Sequence, residues 1–407
     1  MKLRLLDLSE EDQKVLQVAS CLGCEFDQKT LALAATKATG ILDVDLGSSL
    51  WNAVEGGVLR SVDNESLYAF VHDQIQFAAF DAIPESERNA FQGAVGAAIL
   101  SNADSEALQG DLLLIAVDLC NCDSSQMKAR SLLAELNLKA GQAAVKSAAF
   151  SISASYFEAG LNLLDEEMYM LNMPLVIDLH TLFAQSLYCQ GNFDRCMEVL
   201  EDLLAQSVTV EEKLPAYFIK LTILFVTNRH AEGMPLTQQV FKELGFSLFP
   251  KKTNMAHIIK DLIKTKAIVK KHKGSITNLP LCTDQSRKIA MGLLDIMVGI
   301  TYILNDPALS LVVFKILRWS IKHGLCAHSG TGLVMFGVIT CGLGDLKGGF
   351  EFGEIATAVH KRLKKYDIHV SSIFDLCDVC FAYFICTACV VCKCRSFRFL
   401  HFSYMYS

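Results

Sequence analysis

A pair of intervals, twelve residues and then seven, recurs along this chain at positions that favour small or compact side chains. It links Gly141, Ser153 and Gly160; then Ala184, Cys196 and Leu203; then Leu221, Gly233 and Val240; and later Gly337, Gly349 and Ala356. A turn-forming triplet lies between the first two members of each set: Ser147-Ala148-Ala149, Gln190-Gly191-Asn192, Thr227-Asn228-Arg229 and Leu343-Gly344-Asp345. Two antiparallel helices whose backbones approach closely need small residues at their crossing, and stacked copies of such a pair bury a continuous core. Phe157 and Leu200 are expected to fill the gap to the next pair. The copy around Cys189-Gln190-Gly191-Asn192-Phe193-Asp194 is the clearest, with Gly191 suited to a left-handed helix end and Asp194 to capping the following helix. Residues 284–335 are expected to form degenerate pairs of the same array.

The composition agrees with a helical chain. Only seven prolines interrupt 407 residues, and 52% of the residues are hydrophobic against 20% charged, enough apolar material for two or three cores. The net charge of −7 disfavours a polyanion as the main partner, because phosphate binding rests on clustered Lys and Arg. Fifteen cysteines would suggest disulfides in a small secreted protein. Here Met1-Lys2-Leu3-Arg4 runs into Asp7, Glu10, Glu11 and Asp12 instead of an apolar signal core, so the expectation is a cytoplasmic protein with free thiols.

The first hundred residues read differently. Ser9 followed by Asp12 opens a helix through Val15, Leu16 and Val18; further helices are predicted from about Asp27 to Ala35 and from about Leu46 to Glu55. Two β-prone runs around a polar turn follow, between Gly56 and His72. Three helices and a hairpin outline a winged helix. The predicted fold class is therefore mainly α: a small winged-helix domain with following helices over residues 1–105, helical repeats over 106–366, and a Cys- and aromatic-rich tail over 367–407.

Taken together, these segments resemble a known arrangement. The twelve-and-seven spacing is that of tetratricopeptide repeats. The run from Phe70-Val71-His72-Asp73 to Ile83-Pro84-Glu85 resembles the end of the ATPase module in large multidomain sensor kinases, where an AAA-type signal-transducing (STAND) ATPase precedes tetratricopeptide-like repeats. Leu138 to Leu161 is similar to the first repeat after it, and Gly191-Asn192-Phe193-Asp194, Asn278-Leu279-Pro280-Leu281 with Thr283-Asp284, and Gly342-Leu343-Gly344-Asp345 follow in the expected order. The resemblance spans roughly residues 8–365. It implies kinase-like and nucleotide-binding domains before this region, GAF and histidine-kinase domains after it, and ATP or ADP as the nucleotide of the full-length protein. It also implies that His72 and Asp73 form a nucleotide-state sensor whose imidazole approaches the β-phosphate of ADP. No G-x-x-x-x-G-K-[ST] loop, kinase Gly-rich loop or H-R-D sequence occurs in the chain, so no catalysis, cofactor or metal is expected of it alone.

Each motif also has a structural reading. His72 and Asp73 can simply start a helix, Asp73 capping it and His72 packing on the hairpin. Cys21-Leu22-Gly23-Cys24 and Cys120-Asn121-Cys122 read as core or helix-end cysteines, not redox centres. The lysines at 251, 252, 260, 264, 266, 270, 271 and 273 alternate with Ile258, Ile259, Leu262, Ile263, Ile268 and Val269. That segment is expected to turn a solvated face outward, with membrane or partner contact through 251–273 or the tail as the less favoured outcome. Gly342 to Gly349 is expected to be a repeat turn, not a phosphate cradle. After about Tyr366 the pattern breaks: Cys377, Cys380, Cys386, Cys389, Cys392 and Cys394 could serve a zinc site, a tail anchor or, as favoured here, a poorly ordered non-native segment.

The function expected is that of a non-catalytic regulatory scaffold within a STAND-type ATPase, with protein partners or adjoining kinase and ATPase domains. A free-standing repeat adaptor is the alternative. A winged-helix transcription regulator is third, disfavoured by the paucity of Arg and Lys in residues 28–72.

Overall fold

A computed structural model describes residues 5, 7–36, 39–41, 44–62, 66–104, 108–126, 130–206, 208–246 and 254–365. The expectations for the tail, and for Lys251 and Lys252, lie outside the described residues. The chain divides into two compact units, Met1–Val199 and Leu200–Ser407. It is mainly α, with eighteen α-helices among the described residues.

The first unit opens with α1 (Glu10–Leu22), capped by Ser9, whose hydroxyl accepts from the Asp12 amide at 3.1 Å. Strand β1 (Glu25–Asp27), α2 (Gln28–Leu33), α3 (Leu46–Glu55), β2 (Leu59–Ser61) and β3 (Leu67–Phe70) follow. The strands form one antiparallel sheet of order β1-β3-β2, pairing Glu25 with Ala69 and Leu59 with Phe70. Strand β1 was not expected, since three residues are too few to show alternation; buried Phe26 earns its place by packing on the rings of Tyr68 and Phe70, 6.2 and 6.0 Å away. Three helices follow, α4 (Asp73–Asp81), which packs on β3 and α1, then α5 (Arg88–Asn102) and α6 (Gly110–Cys122), which pack on each other. One core gathers Leu16, Leu50, Val58, Phe70 and Ile75 with Val95, Ile99, Ala116 and Leu119.

Helix pairing then takes over. In the first unit come α7 (Arg130–Lys146), α8 (Phe150–Asn162), α9 (Glu166–Leu171) and α10 (Met173–Cys189), and α11 (Phe193–Ala205) begins before the division and ends after it. The second unit continues with α12 (Val210–Val226), α13 (His230–Glu243), α14 (Met255–His272), α15 (Gln285–Ile303), α16 (Ala308–His323), α17 (Ser329–Gly342) and α18 (Leu346–Lys365). Its core includes Leu221, Phe241, Met297, Phe314 and Phe336.

The predicted crossings are real. A Cβ on Gly141 would lie 2.3 Å from the Phe157 ring, so α7 and α8 touch only because that side chain is a hydrogen. Phe157 thus fills the space inside its own pair, not the gap to the next. The Cys196 thiol donates to the Ala184 carbonyl at 3.0 Å, and a Cβ on Gly349 would meet the Gly337 carbonyl at 2.7 Å. The turns are also of one kind. Ala148, Gly191, Asn228 and Gly344 all have positive φ, at 55, 75, 59 and 93°. In each case the next amide reaches back five residues, at 2.9, 3.0, 2.8 and 3.2 Å, which satisfies a carbonyl at the helix end. Asn305, with φ 50°, repeats this turn between α15 and α16. At the clearest copy Asn192, not Asp194, accepts from the following helix, through the Arg195 amide.

Candidate functional site

Strand β3 delivers His72 to the start of α4. The amide of Phe70 donates to the Cys24 carbonyl and that of Val71 to the Val58 carbonyl, which fixes the chain leaving the sheet. His72 is extended (φ −152°, ψ 142°) and its Nδ1 accepts from the Gln74 amide at 3.2 Å. The roles within the pair are therefore exchanged relative to the structural reading: His72 caps and Asp73 is the first helical residue, where its charge suits the helix N-terminus. Both side chains are exposed instead of packing on the hairpin. Beneath them Ile75 and Ala79 are buried, and the Gln76 side-chain amide donates to the Ser20 carbonyl at 3.1 Å, holding α4 against α1.

The cap has a chemical consequence. An imidazole that accepts at Nδ1 carries its neutral-state proton on Nε2. The accessible nitrogen of His72 is thus a hydrogen-bond donor, which fits an anionic oxygen such as that of a phosphate. Val71 and Phe77, one and five residues away along the chain, are exposed, Phe77 at 62%.

Behind this face the module is joined firmly to the first helix pair. Leu113 and Val117 on α6 share a core with Leu136 and Ala140 on α7 and Tyr156 on α8. Asn121 and Asn137 exchange two side-chain hydrogen bonds at 2.8 and 3.0 Å, and Asn137 also donates to the Leu133 carbonyl. A buried amide so fully satisfied fixes the register of α6 on α7.

The remaining motifs fall to their structural readings. Burial pushes the Cys21 thiol up to about 12, against the lowering pull of a hydrogen bond with Ser20, and burial does the same to Cys120. A thiol raised this far disfavours the thiolate that redox chemistry needs. Gly342 to Gly349 is a repeat turn between α17 and α18, where Asp345 accepts from the Gly348 amide at 2.9 Å. No group of three or more His, Cys, Asp or Glu able to hold a metal ion occurs among the described residues.

Two features of the second unit escaped sequence reasoning. His328 Nδ1 lies 2.8 Å from Asp295 Oδ2, and the Asp295 side chain is 2% exposed. This pair ties α15 to the start of α17 beneath Phe218. A lone carboxylate inside Leu293-Leu294-Asp295-Ile296-Met297 was the available signal, because a buried charge requires a partner. The second is an open groove lined by Lys273, Thr277, Glu351, Glu354, Ile355 and Ala358, with Lys273 paired to Glu351 and lying over Phe352.

No family model matches the chain, and no curated protein matches it. Among solved structures it is similar to that of a Signal Transduction ATPase with Numerous Domains (STAND) protein with a tetratricopeptide repeat sensor from Pyrococcus horikoshii, at 14% identity and a TM-score of 0.39. The match covers 96% of this chain and 49% of that one, so the chain spans about half the length of that protein. At this level of likeness the functional reading rests on the chain's own residues.

Proposed function

We propose that this chain is a non-catalytic regulatory scaffold that reads the state of a nucleotide held by an adjoining STAND-type ATPase core. The carrying observation is the geometry of His72: exposed, anchored by its cap to the Gln74 amide, and left with Nε2–H to donate. Bound ADP would supply the phosphate oxygen that this donor meets, while the amides that cradle the phosphates belong to the core. The α1-β1-α2-α3-β2-β3 order and the antiparallel three-stranded sheet support a winged-helix reading of the front module. Its shared packing through α6, Leu136 and Asn137 gives any displacement of α4 and the sheet a stiff route into the first helix pair.

The experiment uses this chain carried on the protein that includes the nucleotide core. His72→Ala is expected to speed MgADP release roughly tenfold, the weight of one charge-assisted hydrogen bond to phosphate. Unchanged release, with the variant folded, removes the sensor role.

The DNA-reading alternative loses ground on α3, which occupies the recognition-helix position and contains neither Lys nor Arg. The adaptor alternative is supported by the open groove between Lys273 and Ala358, where Ile355 and Ala358 are the apolar lining and Lys273 pairs with Glu351.

A further inference from the structure

Helix α14 faces two ways. Its inner face places Thr265 and Val269 in the core and rests Ile258 and Leu262 against it. A merely solvated outer face would then be polar throughout. Instead Met255, Ile259 and Ile263, one turn apart, are 68, 49 and 64% exposed. They form an apolar line about 12 Å long at the helical rise per residue. Lys266 and Lys270 continue the same line, and Lys260, Lys264 and Lys271 flank it, all exposed. Residues 254–273 hold six lysines, one aspartate and no arginine, a strongly cationic segment in a chain of net charge −7.

We propose that α14 lies on the surface of an anionic lipid bilayer, with Met255, Ile259 and Ile263 entering the headgroup region and the lysines resting among the lipid phosphates and carboxylates. Three observations choose a membrane over an acidic protein. The apolar residues form a single line along one helix, and a bilayer needs only a line. All the cations are lysines; a protein interface of carboxylates favours the forked arginine, while a diffuse anionic surface is served by point charges on long flexible stems that can snorkel. Lys266 and Lys270 also sit on the line of the apolar residues, so electrostatic attraction and burial act on one contact. No described helix is long and apolar enough to cross a membrane, so the contact is one of lying on the surface.

The test is co-sedimentation of the whole chain with vesicles of phosphatidylcholine alone and of phosphatidylcholine with about 30% phosphatidylserine, a content that gives a strongly negative surface. Binding is expected only with phosphatidylserine, and to fall steeply on raising the salt. I259S/I263S should weaken it by about tenfold or more, since apolar burial contributes alongside charge. Neutralising single lysines, as in Lys264→Gln, should weaken it about fivefold each. These side chains are exposed, so circular dichroism and the melting temperature should not move. Equal binding to both vesicle types, or binding unaffected by I259S/I263S, would overturn the proposal. So would self-association that I259S/I263S abolishes, or stronger binding to a poly-glutamate peptide than to the vesicles; these would assign the face to a second copy or to an acidic protein.

Discussion

The α7–α8 and α15–α16 hairpins turn through the same backbone geometry yet differ in what holds their first helix. In α7 the close approach is made within the pair, where Gly141 receives Phe157 of α8. In α15 it is directed to another helix: Cβ atoms on Gly292 and Gly299 would lie 2.7 Å from Phe218 and Phe225, both on α12. The register positions equivalent to Gly141 and Ser153 are Val298 and Ser310, not a small pair. The lesson is that the helix turn and the helix crossing are separate devices. A five-residue carbonyl link can close a hairpin whatever lies at the crossing, and the small residues go wherever two backbones come nearest.

The contrast can be broken most sharply at Asp295. Asp295→Ala removes the partner of His328 from a buried site and should cost about 3 kcal/mol in urea unfolding of the second unit, the range for breaking a buried pair. A loss under about 1 kcal/mol would mean that the His328 pair adds little to holding α15, as an exposed ion pair would. Next in size, Gly141→Ala should cost about 2 kcal/mol through overpacking on Phe157 and be partly rescued by Phe157→Leu. Gly299→Ala should cost about as much and be rescued by Phe225→Leu on α12, with no coupling to Ser310→Ala on α16. Coupling to α16 instead would erase the distinction between the hairpins. At the turns, Ala148→Gly should stabilise by about 1 kcal/mol, because a left-handed conformation is costly for alanine. Asn305→Gly should gain less, since asparagine tolerates that conformation. Equal gains would show that the two turns are strained alike.

A last comparison lies within α10 and α11 and leaves stability untouched. Burial raises the Cys196 thiol to about 12 at its crossing; Cys189, seven residues earlier, is also raised by partial burial but its side chain is exposed to reagent. Mild alkylation near neutral pH should label Cys189 and spare Cys196. Labelling of both at one rate would mean that the crossing opens readily.

Much of the array was legible because its signals are local. Gly141, Cys196, Gly233 and Gly349 announce themselves by spacing, and Gly191 and Asn228 by the turn conformation they permit. The α15–α16 pair was legible only as helix, since its glycines answer to Phe218 and Phe225, more than sixty residues upstream, and no interval within the pair records that contact. Strand β1 was hidden for a related reason: three residues become a strand only when β3 arrives to pair with them. At the candidate site the sequence singled out His72 and Asp73 but assigned the cap to the wrong one. Either side chain can accept the hydrogen bond, and the choice is made by where β3 ends. The outward line on α14 was not legible, because Ile258 and Ile259 look equivalent in a row of letters and only the packing against the core separates them.

The regulatory reading rests on a donor that waits for a phosphate. Its most direct test is the rate of MgADP release from the protein bearing its nucleotide core, compared between the natural chain and His72→Gln, which keeps side-chain polarity but loses the ring geometry. Release faster by about tenfold in the variant, with unchanged melting of the front module, is the predicted result. Identical release rates, or a natural protein in which no nucleotide core adjoins this chain, would contradict the account.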